Sequence, residues 1–228
     1  MTATAPFPVH PRRQGDPVPD VLGMRLAHRI MLRDARRLTD LAEGLAAGTV
    51  RPDARRTRAI AAYVRDWGHS VHHHHSVEDE ILWPVLVESA GPHVDLSELS
   101  DDHAALDPML DRLRAAVDGY DARPGEDTAT ALALALADLR DTLTEHIGEE
   151  EAAVFPVIER YVSVRDWDEV EKRIRKRAKV SFELPRVIGA ITPEEWPAVA
   201  DRAGLALRVV IAFLGPPFRR RERAVFGS

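Results

Sequence analysis

The chain contains no cysteine. That excludes disulfides, zinc–thiolate sites, iron–sulfur clusters and cysteine nucleophiles together, and leaves His, Asp and Glu to hold any metal. Aromatic residues are scarce, at 6%, whereas Ala, Leu and Arg are plentiful, a balance that favours helix. No stretch alternates with period two over a strand's length, so no sheet is expected. No apolar run reaches the roughly 18 residues needed to span a bilayer. The first twenty residues also lack the apolar segment of a secretory leader. A soluble cytoplasmic protein is the expectation.

What is present is a chain of 228 residues with 45% hydrophobic and 30% charged residues, the composition of a globular protein able to bury a core. Its net charge of −6 hides an asymmetry: residues 1–160 sum to −11 and residues 161–228 to +5. Residues 1–20 carry Pro6, Pro8, Pro11, Pro17 and Pro19 and read as a flexible or extended arm. Four long amphipathic helices follow, at about 21–47, 53–89, 96–118 and 127–161. Gly48, Pro52-Asp53, Gly91-Pro92 and the break from Gly119 to Gly125 punctuate them. The expected fold class is all-α, an antiparallel four-helix up-down bundle over 21–161. Residues 162–228 read as a basic helical extension. In it, Ser163 caps a charged helix, Thr192-Pro193-Glu194-Glu195 resembles a capping box, and the apolar run 205–214 packs on the bundle.

The second and fourth helices share a motif. His74, Glu78 and Pro84 recur at the same spacing as His146, Glu150 and Pro156, each with an aromatic residue before the proline. Positions i and i+4 lie one turn apart on one helix face, so each copy presents an imidazole and a carboxylate in one direction. With residues set 100° apart, His74 falls on the apolar stripe of Ile60, Tyr63, Trp67, Ile81 and Val85, and His146 on that of Leu132, Leu139 and Val157. His28 and His103 fall on the apolar stripes of the first and third helices. His73 and His75 lie on the flanks and His72 opposite. His10, His69 and His93 read as solvated, and of Glu149-Glu150-Glu151 only Glu150 points inward.

Buried carboxylates are costly unless neutralised, and a helical core fed by His and Glu from facing helices is a known way to hold two metal ions. Imidazoles would take terminal positions, with Glu78 and Glu150 able to bridge. Mixed nitrogen and oxygen donors without thiolate suit non-haem iron, with manganese or zinc as alternatives. Pro84 and Pro156, lacking an N–H, are expected to loosen their helices just past the ligands.

These residues resemble the hemerythrin-like, or HHE cation-binding, family, over about residues 20–161. The segment from Leu184 to Arg223 resembles, more weakly, tails appended to such proteins. The resemblance implies a four-helix bundle around an oxo- or hydroxo-bridged di-iron centre, with His28, His74, His103 and His146 as terminal ligands and Glu78 and Glu150 as bridges. One position departs from the family pattern. Oxygen-carrying members have a fifth His one turn after the third-helix His, where this chain has Asp107. Asp107 then ligates through oxygen or leaves a position to water, or His75 or His73 supplies the fifth imidazole. The expected function is binding or reaction with dioxygen, peroxide or nitric oxide, in sensing, storage or detoxification. The alternatives are a di-iron peroxidase or oxidase, and an iron- or redox-responsive module acting through the basic tail. The run from Lys172 to Arg177 lacks interleaved aromatics, so a nucleic-acid partner is not expected.

Overall fold

The structure is a computed structural model. It describes residues 4–227, and the side chains of all of these except 201–210. Among the described residues there are helices and no strand: α1 (Leu22–Ala46), α2 (Ala54–Val77), α3 (Trp83–Ala90), α4 (Ser97–Ala122), α5 (Glu126–Tyr161), α6 (Val164–Arg177), α7 (Val180–Ile188) and α8 (Trp196–Phe226). A single wide π-turn, Glu78–Leu82, joins α2 to α3 as one continuous rod.

The helix ends follow local chemistry. Asp53 accepts a hydrogen bond from the Arg56 N–H at 2.7 Å and starts α2. Ser163 starts α6 in the same way, bonding the Asp166 N–H at 3.3 Å. After α1 the chain turns at Gly48, whose φ of +68° a residue with a side chain rarely adopts. Thr192 and Glu195 make the reciprocal bonds of a box, but α8 starts only at Trp196, with Glu195 at its N-cap, so Pro193 is not its first helical residue. The Thr192 N–H donates to Glu195 at 2.9 Å, and the Glu195 N–H to Thr192 Oγ1 at 3.3 Å, in the turn that leads into α8. The apolar run 205–214 lies within α8, and its first six side chains lie outside the described residues.

Helix α1 packs on α5, α5 on α4, α4 on α2 and α2 on α1. Each contributes a stripe of buried residues at intervals of three and four. In α4 these are Leu99, His103, Leu106, Leu110, Leu113, Val117 and Tyr120. The interior divides into two apolar clusters. One contains Met31, Leu38, Trp67, Leu110 and Leu139; the other contains Met24, Val77, Leu86, Leu99 and Val154. Along α1 and α4 the chain passes from the second cluster to the first, and along α2 and α5 from the first to the second. Between them, at one level on all four helices, lies a layer of buried polar side chains: His28, His75, Glu78, His103, His146 and Glu150.

The remaining segments are tied to this body. The His10 N–H donates to Asp166 at 2.6 Å and the Arg12 N–H to the Tyr161 carbonyl at 2.8 Å, which lays the N-terminal segment along α5 and α6. Several basic residues of α6, and Arg221 of α8, face acidic partners. Arg175 pairs with Glu171 at 3.0 Å, Arg177 with Glu80, and Arg221 with Asp66 at 2.7 Å. Among the described residues, no helix is long and apolar enough to cross a membrane.

Helix α5 runs on through Pro156, with no wide turn beside it. At Pro84 the expectation is met one turn earlier. The Trp83 N–H bonds the Glu78 carbonyl, five residues back, and Pro84 follows directly with no N–H to give.

Candidate metal centre

Neighbouring residues on a helix project about 100° apart, so His74 and His75 straddle the inward direction of α2. Glu78 comes four residues after one and three after the other, and sits between them. The consequence is two groups of ligand atoms: His28, His74, Glu78 and Glu150 in one, and His75, His103 and His146 in the other. In the first, His74 Nε2 is 2.9 Å from Glu78 Oε1, while His28 Nε2 is 4.0 Å from Glu78 Oε1 and 3.5 Å from Glu150 Oε2. In the second, His103 Nε2 and His146 Nε2 are 3.2 Å apart. Glu78 Oε2 reaches toward this second group, 3.9 Å from His103 Nε2, and Glu150 Oε2 lies 3.7 Å from His146 Nε2. Each carboxylate therefore stands between both groups.

A ring of outer partners fixes the imidazoles. His28 Nδ1 bonds Glu151 at 2.9 Å, His103 Nδ1 bonds Asp79 at 2.9 Å, and His146 Nδ1 lies 3.5 Å from Asp102. His75 Nδ1 is 2.9 Å from the Val71 carbonyl, which can only accept, so the proton sits on Nδ1 and Nε2 is bare. In each case the outer nitrogen is occupied and Nε2 is left to face the interior. This is the second-sphere pattern of metal-bound histidine.

Four atoms in this layer are buried with no hydrogen-bond partner: His75 Nε2, Glu78 Oε2, Glu150 Oε1 and Glu150 Oε2. Lone pairs hidden from water without a donor are costly, and a cation would satisfy all four. The electrostatics carry the same signature. Burial, then the charge of Glu78, holds Glu150 well above the usual carboxylate range. Burial also opposes ionisation of Glu78, but the charges of its His neighbours outweigh it and hold Glu78 well below that range. Without a cation the two therefore share one negative charge. Burial works against protonation of His28, yet the hydrogen bond to Glu151 and the nearby carboxylates of Glu78 and Glu150 raise it to about 10. Burial and neighbouring His74 push His75 well below the ordinary histidine value.

Six of the seven side chains singled out from the sequence lie in these groups: His28, His74, Glu78, His103, His146 and Glu150. Asp107 does not. Its side chain is 67% exposed, and its nearest basic group is His72, 3.9 Å away. Of His73 and His75, it is His75 that lies in these groups, buried beside His103 and His146 where the helical wheel puts it on a flank. His73 stacks on His69 instead. The outer ring was not foreseen, and Glu151, read as part of a wet face, bonds His28. Asp79, Asp102 and Glu151 all act across helices, on His103, His146 and His28, and their positions in the sequence carry no sign of it.

A comparison with protein families finds that the one described as Hemerythrin HHE cation binding domain matches residues 22–158. Curated protein sequences and solved structures give no match.

Proposed function

The chain belongs to the hemerythrin HHE cation-binding family, and on that premise we propose that it holds a pair of iron ions in the core of an antiparallel four-helix up-down bundle and binds a small ligand there. The bundle reading rests on the alternating direction of α1, α2, α4 and α5 between the two apolar clusters. His28 and His74 would hold one ion, and His75, His103 and His146 the other. Glu78 and Glu150 would bridge them. The observation that carries this is Glu78, whose Oε1 is 2.9 Å from His74 and whose unpartnered Oε2 faces His103 at 3.9 Å. Nitrogen and oxygen donors without sulfur fit iron, with manganese or zinc as substitutes.

Bound iron supplies a redox couple and coordination positions for dioxygen, peroxide or nitric oxide. The chain's own part is to present bare Nε2 atoms, hold the imidazoles from behind through Glu151, Asp79 and Asp102, and keep bulk water out between two apolar clusters. Sensing, storage and detoxification of such ligands all fit this arrangement, in a chain read as a helical body over 21–161 with an arm before it and a basic extension after it.

The deciding experiment loads the full chain anaerobically with ferrous iron and removes the excess. About two irons per chain are expected, with an optical spectrum that changes on exposure to air or nitric oxide. Glu78→Ala should retain at most about one. A wild-type chain that keeps one ion or none, or a Glu78→Ala variant that keeps both, sinks the paired-ion reading.

A further inference from the structure

We propose that the chain also binds a small, uncharged apolar organic molecule, in a cavity between the helical body and α6–α7 that ends at His74 and Glu78. The cavity measures about 300 Å³, at the lower end of the range typical of small-molecule sites. Its walls are built from two separate parts of the chain. Met24, Val77 and Leu82 come from the body, and Trp167, Ile174 and Leu184 from the C-terminal helices. Close-packed interiors leave few voids larger than a water molecule. This void is not a sign of loose docking, because the contacts around it are tight: Trp167, Val170, Phe182 and Arg186 are all buried.

The polarity of the cavity selects the class of ligand. Its walls are almost wholly apolar, and a charged occupant would give up its hydration there without return. The charged groups at the rim already have partners: Glu171 and Arg175 pair at 3.0 Å, and Glu183 accepts from Arg186 at 2.8 Å. The polar floor consists of His74 and Glu78. His74 is the least buried side chain of its group, at 14% exposure, so an occupant meets the centre there. A second hollow, about 200 Å³ and lined by His72, Ser100 and Asp107 among others, reaches the other histidine group from a polar side. Apolar and polar molecules thus have separate approaches. Placing the occupant beside a metal ion rests on the paired-ion reading above, in which the ion held by His28 and His74 would have two imidazoles against three. The cavity itself does not depend on it.

The test begins with metal-free full-length protein titrated with N-phenyl-1-naphthylamine, a neutral fluorophore that brightens in apolar surroundings. Saturable binding of about one probe per chain is expected, with quenching of tryptophan emission that is reduced in Trp167→Phe. Octan-1-ol should displace the probe, and octanoate at neutral pH at least about tenfold less well. Leu184→Trp, which fills the hollow, should weaken binding by about tenfold or more, with circular dichroism reporting whether the variant folds. If it does not fold, the competition between octan-1-ol and octanoate decides on the wild-type chain. Absence of saturation, equal displacement by octanoate, or unchanged binding in a folded Leu184→Trp variant overturns the proposal. The iron-loaded protein is then mixed with octan-1-ol, and a shift of its optical spectrum is expected. An unmoved spectrum overturns the placement beside His74. A chain that takes up no iron but still binds the probe removes the paired-ion reading and leaves the cavity standing.

Discussion

Arg186 Nε donates to Asp34 Oδ2 at 2.8 Å, and both side chains are shut away from solvent. This pair ties α7 to α1 through the interior. The Tyr63 hydroxyl also donates to Asp34 Oδ2, at 2.8 Å, and Arg186 reaches Ser70 and Glu183. Taking Arg186 away removes one charged hydrogen bond from buried Asp34, which keeps Tyr63 and, at 3.1 and 3.7 Å, Arg33 and Arg37. Arg186→Met should therefore destabilise the chain by about 1–3 kcal/mol, and adding Asp34→Leu should recover part of that loss. Urea unfolding of the two variants measures both. A single variant as stable as the parent would show that the pair holds nothing together.

Metal uptake should release protons. Without a cation, Glu150 is held protonated by burial and by Glu78, and His28 is raised to about 10. Both must lose a proton to ligate, so loading at pH 7 should release about two protons per chain, and affinity should rise with pH. Calorimetry in buffers of different ionisation enthalpy reads the number directly. Uptake with no proton release would contradict the charge state argued for the pair.

The outer ring should matter to metal affinity more than to folding. Asp79 is partly exposed and bonds His103 Nδ1 at 2.9 Å. Asp79→Ala should cost about 10–100-fold in affinity for the metal while leaving the helical spectrum unchanged. Asp107→Ala, at a rim position 67% exposed, should leave affinity where it was. Competition with a chelator of known strength compares the two, and equal losses would argue that Asp107 reaches the centre in solution.

Glu195 gives a pH-dependent tether. Two hydrogen bonds from Arg29, at 2.7 Å each, together with the Thr192 N–H, lower its pKa to about 2. Its folded value lies below its unfolded one, so its contribution is complete above the unfolded value of about 4.5 and fades as pH falls toward about 2. The pair is partly solvent-exposed, so the effect should be about 1 kcal/mol or less. Glu195→Gln should lower the urea midpoint at pH 7 and converge with the parent near pH 2–3. A constant gap between the two across that window would assign the effect to packing.

The sequence by itself determined the helical class, the donor chemistry and most of the inward-facing His and Glu side chains. Absence of cysteine left only nitrogen and oxygen donors. The spacing of His74 to Glu78 and of His146 to Glu150 fixed their common direction, because the helical repeat is set by the backbone and is the same everywhere. What it could not decide was rotation and neighbourhood. Whether His74 alone or His74 and His75 together face inward depends on a turn of tens of degrees about the axis of α2, and that is set by packing against α1 and α4. The carboxylates behind His28, His103 and His146 each come from another helix, 123, 24 and 44 residues away in the chain. The apolar hollow at His74 exists only because α6 and α7 dock on α1 and α2, held there by an ion pair between residues 152 apart. Helical periodicity is a local property of the chain, whereas these contacts follow from how whole helices settle against one another, and only the folded protein brings them together.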